Sequence, residues 1–142
     1  TPYFANTMLY EVQKNIIMGM YTELIFGASL KENTPEEVIE TLKNMCGLES
    51  KTNILNLGRN PFYAQSYYFG VHRSKPFMEY DEISKNWVIS TRGNIKNYNN
   101  EIETFLEWIK PYIENGSGSR DMYAIVTYEE SEEPTIYYLY DE

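Results

Sequence analysis

The chain is poorly equipped for nucleophilic or metal chemistry. Among its 142 residues there is one cysteine, Cys46, and one histidine, His72. A lone cysteine excludes an internal disulfide, and one thiol plus one imidazole fall short of the three or four nitrogen and sulfur ligands that zinc requires. Cys46 sits on the apolar stripe of a predicted helix just before its end, where the helix dipole disfavours a thiolate, so it reads as a small core residue. Bases are also scarce: 12 Lys and Arg against 21 Asp and Glu give a formal charge of −9. Duplex binding relies on clustered Lys and Arg to release counterions, so direct nucleic-acid binding is not expected. No apolar run approaches the roughly 18 residues of a membrane span. The stretch Ile16-Ile17-Met18 is too short for a signal peptide, which favours a soluble intracellular protein.

Familiar catalytic and ligand-binding signatures are missing too. Gly116-Ser-Gly-Ser-Arg120 follows a predicted helix instead of preceding one, so its amides sit at the wrong end to cradle phosphate, and it reads as a flexible connector. The run Glu129-Glu130-Ser131-Glu132-Glu133 lacks the alternating Asp and central Gly of a calcium loop and reads as a solvated acidic turn. With 21 acids, many accidental carboxylate pairs exist and no spacing selects one for hydrolysis. No metal or cofactor is expected, and an enzyme is the less favoured class.

Aromatic residues are what the chain has in excess, with 14 tyrosines and 15% Phe, Trp and Tyr together. That load argues for a packed domain rather than an unfolded acidic chain. Residues 1–19 show only fragmentary helical spacing and are read as an extension ahead of a natural start at Met20, or as a short helix lying on the domain. Residues 20–142 are read as a single domain. Alternation predicts a strand over Tyr21 to Leu30. A helix follows, with Thr34 as cap, Pro35 at its first position, Glu37 completing a capping box and Gly47 ending it, and with Val38, Leu42 and Met45 as its stripe. Strands are predicted at Phe62 to Val71, Met78 to Glu82 and Trp87 to Arg92. A second helix is capped by Asn97 or Asn99 and carries Ile102, Phe105, Leu106, Ile109 and Ile113, with Pro111 tightening its last turn. Met122 to Tyr128 and Thr135 to Tyr140 form a terminal hairpin around the turn Glu129 to Pro134. The order β-α-β-β-β-α-β-β predicts an α+β fold, an antiparallel or mixed sheet covered on one face by two amphipathic helices.

Two binding surfaces compete. From Glu129 to Glu142 there are six acids and no base, which supply −6 of the −9. Carboxylates over a tyrosine-rich strand pair can mimic a nucleic-acid backbone and occupy a basic channel of another protein, with long-range attraction speeding the encounter. The partner-binding residues expected on this basis are Tyr128, Glu129, Glu130, Glu132, Glu133, Tyr138 and Tyr140. The alternative gathers Arg59, Tyr67, Arg73, Lys75 and Arg92 around a nucleotide, held by charge-assisted hydrogen bonds and stacking. Arg92, borne on a strand beside Gly93 and Asn94, is expected to be partly buried. Exposed strand edges make a homodimer plausible.

Several stretches together resemble a family of small uncharacterised proteins encoded by bacteriophages and prophages. They are Tyr21-Thr-Glu-Leu-Ile-Phe-Gly-Ala-Ser-Leu30, Thr34-Pro-Glu-Glu-Val-Ile-Glu-Thr-Leu-Lys43, Ser66-Tyr-Tyr-Phe-Gly-Val71, Trp87-Val-Ile-Ser-Thr-Arg-Gly-Asn-Ile-Lys-Asn-Tyr98, Glu101-Ile-Glu-Thr-Phe-Leu-Glu-Trp-Ile-Lys-Pro-Tyr-Ile113 and Tyr128-Glu-Glu-Ser-Glu-Glu-Pro-Thr-Ile-Tyr-Tyr138. The likeness begins near Met20 and carries no assigned reaction or ligand, so no functional residue follows from it. It implies a setting, the cytoplasm of an infected bacterium, where small acidic proteins act by binding and disabling host machinery. The expected function is therefore inhibition of a host defence or nucleic-acid-processing protein, with sequestration of a host signalling nucleotide as the alternative.

Overall fold

The structure is a computed structural model that describes residues 20–64, 75–115 and 121–140. In chain order its elements are β1 (Thr22–Ser29), α1 (Glu36–Met45), β2 (Phe77–Asp81), β3 (Asn86–Ile95), α2 (Glu101–Ile109) with a 3-10 turn at Lys110–Tyr112, β4 (Met122–Tyr128) and β5 (Thr135–Tyr138). The five strands form one sheet in the order β2-β3-β1-β4-β5, with every neighbouring pair antiparallel. The first strand of the described chain is thus the central one.

Period-two alternation gives β1 two unlike faces. Leu24 and Phe26 point to the helices and are buried, whereas Glu23, Ile25 and Gly27 lie on the other side. The helical stripe supplies the matching layer. Val38, Leu42 and Met45 of α1 and Ile102, Phe105, Leu106 and Ile109 of α2 join one core cluster with Leu24, Phe26, Ile89 and Val126. Phe26 and Phe105 meet edge to face at 5.0 Å, and Lys43 Nζ lies 4.8 Å above the Trp87 ring, so both helices cover the same sheet face. The expected α+β arrangement is therefore present, as an antiparallel sheet with two helices on one side.

Three local expectations are corrected. α1 begins one residue later than expected: the Pro35 carbonyl accepts the Val38 and Ile39 amides, and Pro35 occupies the cap position without a side-chain bond. The Thr34 hydroxyl instead donates to the Lys31 carbonyl at 2.6 Å, an exposed turn contact that competes with capping. The strand expected from Phe62 to Val71 does not start as one. Phe62 lies in a turn and drives its ring into the core, stacked on Phe26 at 6.3 Å and edge-on to Phe105 at 5.0 Å. Tyr63 follows in a bend, Ala64 makes an isolated bridge to Asn94, and residues 65–71 of that expected strand lie outside the described residues. The cap of α2 is indirect: Asn100 takes the cap position with φ 56°, while Asn97 Oδ1 accepts the Ile102 amide at 2.9 Å.

Other signals lead where they point. Gly47, at φ +81°, ends α1 with its amide on the Asn44 carbonyl and the Leu48 amide on the Lys43 carbonyl, the paired closure of a Schellman motif. Pro111 falls in the 3-10 turn that tightens the end of α2. Gly93 is required by close approach, because a Cβ there would lie 1.7 Å from the Pro61 carbonyl oxygen. The loop carrying Phe62 into the core crosses β3 at this glycine.

Candidate functional site

The terminal hairpin places most of the acidic run at one corner of the sheet. β4 and β5 pair from Val126↔Thr135 to Met122↔Tyr138, with a bulge between Met122 and Ala124. The bulge puts both Tyr123 and Ala124 into the core. There Tyr123 meets Phe26 and Tyr137 edge to face, and burial pushes the phenol pKa of Tyr123 and of Tyr137 up. Ile125 and Ile136 sit opposite each other on the helix-free face.

At the turn, Glu129 and its neighbours part ways. The Glu129 carboxylate accepts the Tyr21 amide at 2.5 Å, and the Glu129 amide donates to the Tyr21 carbonyl at 3.1 Å. This residue joins the hairpin to the start of β1 and is not a projecting contact. Glu130, Glu132 and Glu133 are exposed, and Tyr128, also exposed, lies beside them. Tyr138 and Tyr140 lie at the far end of β5, on the order of 15 Å away at the rise of an extended strand. Tyr138 is half-buried, and the Tyr140 hydroxyl accepts from Asn115 Nδ2 at 2.5 Å. Tyr140 instead lines a separate cavity of about 350 Å³ with Lys31, Lys110 and Asn115. Of the seven expected partner residues, the structure gathers Tyr128, Glu130, Glu132 and Glu133 into one exposed group. Acid is also present at the other end of the sheet, where Asp81 and Glu82 open the β2–β3 turn.

The basic cluster does not converge. Arg92 lies on the helix-free face, with Nε 2.8 Å from Glu23 Oε2 and a second guanidinium nitrogen on the same oxygen. Arg59 belongs to the loop facing the start of α2, with Nη1 3.7 Å from Glu101 Oε2 and Cζ 5.3 Å from the Tyr98 ring centre. The two guanidiniums therefore face carboxylates on different sides of the sheet. Lys75 is exposed, and Tyr67 and Arg73 lie outside the described residues, as does His72.

Glu23 and Glu101 went unpredicted as partners. Burial raises the Glu23 pKa, opposed by the hydrogen bonds and charge of Arg92. Glu101, only 1% exposed, had one usable signal: an acid in the first turn of a helix, where the positive end of the dipole favours it. Glu23 had none, since its place in the alternation is that of a surface acid. Among the described residues no group of three or more His, Cys, Asp or Glu is placed to hold a metal, and no helix is long and apolar enough to cross a membrane. Comparison with known proteins finds no matching family model, no matching curated protein and no matching solved structure.

Proposed function

We propose that this is a binding protein and not an enzyme, and that its contact surface is the acidic turn of the terminal hairpin: Tyr128, Glu130, Glu132 and Glu133. The partner is a host bacterial protein with a basic groove, of the defence or nucleic-acid-processing kind that the phage resemblance implies. The observation that carries this reading is the exposure of three neighbouring carboxylates, beside an exposed tyrosine, in a segment from residue 121 to 142 that contains no Lys or Arg. With no cation in its own segment to neutralise it, such a group attracts a positive surface over several ångströms and speeds encounter. Nucleotide sequestration by Arg59, Tyr67, Arg73, Lys75 and Arg92 draws less support, because Arg59 and Arg92 are already directed at carboxylates on separate sides.

The test starts by retaining partners from bacterial lysate on the full chain, identifying them by mass spectrometry, and titrating the recovered protein at low and high salt. Changing Glu130, Glu132 and Glu133 together to Gln is expected to weaken binding about ten- to thirty-fold at low salt, and much less at high salt. Retention of the same proteins with unchanged affinity at both ionic strengths rejects the acidic turn. A rise in melting temperature with a nucleotide panel supports the ligand reading instead.

A further inference from the structure

We propose that β5 is an open docking edge, and that its occupant is an extended segment of the partner bearing Lys or Arg, added to the sheet as a further strand. This rests on the hairpin being the contact surface. The described sheet has two outer strands, and they are protected unequally. Sheet edges are normally blunted by charge, proline or a covering loop, because exposed main-chain groups template new strands. β2 carries Glu79 and Asp81, and beyond it the edge of β3 is covered where the Asn94 amide donates to the Tyr63 carbonyl at 2.8 Å. β5 reads Thr135-Ile-Tyr-Tyr138, without a charge, proline or glycine, and all four residues are of strand-favouring types.

The direction of the edge follows from its hydrogen bonds. On the β4 side, the Leu139 amide donates to the Asp121 carbonyl at 2.8 Å. Main-chain groups alternate along a strand, so Ile136 turns its N–H and C=O outward. Its side chain is 42% exposed and ends a cross-strand row with Ile125 and Ile25 on the helix-free face, against which an added strand could set an apolar residue. Charge selects the occupant. Glu130, Glu132 and Glu133 stand at the start of β5, so a basic segment is attracted along the edge. A second copy would bring together two chains of −9 each.

The probe is a seven-residue, end-blocked peptide alternating Lys with Val, compared with the same peptide N-methylated at every second amide. Each is titrated into the isotopically labelled full chain. The unmodified peptide is expected to saturate and to shift the Ile136 amide resonance, with the methylated one about ten-fold weaker or worse because it cannot complete the ladder. The comparison needs no substitution, so misfolding of a variant cannot obscure it. Equal affinity for the two peptides overturns the edge while leaving charge attraction by the turn intact. Failure of the unmodified peptide to bind at about millimolar concentration also overturns it, as does a concentration-dependent dimer that shifts Ile136 without peptide. Methylation-sensitive binding that persists at full strength in the triple Gln variant overturns the selection of a basic occupant by charge and removes the acidic turn from the contact, leaving strand addition at the edge alone.

Discussion

Glu23 lies on the helix-free side of the central strand with its carboxyl almost wholly buried, and Arg92 bonds it from the neighbouring strand. Because burial raises its pKa, the folded chain holds this proton more firmly than the unfolded chain does. Its contribution to stability is therefore complete below the ordinary carboxyl range and declines as pH rises through the folded value. Urea midpoints measured from weakly acid to neutral pH should show this decline in the parent chain and its absence in Glu23→Gln. Replacing Arg92 by Met strands the carboxylate: the Glu23 pKa should rise further in a carbon-detected NMR titration, with a loss of about 2 kcal/mol near neutral pH, moderated because the guanidinium is partly exposed. The expectation that Arg92 would be partly buried is met, yet nothing in the sequence names its partner, which lies 69 residues away. Cys46 is simpler. Burial pushes its thiol up to about 12, so thiol labelling of the native chain should run on the order of a thousand-fold slower than for a free thiol, accelerating in urea in step with unfolding.

Among the elements, the β3 crossing is the most sharply constrained. Gly93→Ala should force the Pro61 backbone away and lift Phe62 from its place between Phe26 and Phe105, costing about 2–3 kcal/mol in a denaturation midpoint with unchanged slope. The glycine could be seen in the sequence, but its reason could not, because the obstructing carbonyl comes from a loop 32 residues earlier. Elements governed by their own neighbours were legible: Gly47 closes α1 through bonds to Asn44 and Lys43, and β4 spans the same residues as its alternation indicates. Those decided from a distance were not. Phe62 matched an aromatic strand pattern, yet tertiary packing took its ring as a core plug. Thr34 matched a cap, yet the preceding turn claimed its hydroxyl.

At the scale of the whole molecule, the acidic run was visible as composition, but its division was not. Glu129 folds back onto Tyr21 while its three neighbours project, a distinction made by a contact across 108 residues. The same contact joins the first described strand to the last hairpin, and β1 takes its neighbours, β3 and β4, from far along the chain. The two local hairpins can form early, whereas the middle of the sheet closes only after long loops have been drawn together, which makes for slow folding. During synthesis, β1 leaves the ribosome before either of the strands that flank it, and a chain released before Tyr128 leaves it with one flank open to aggregation.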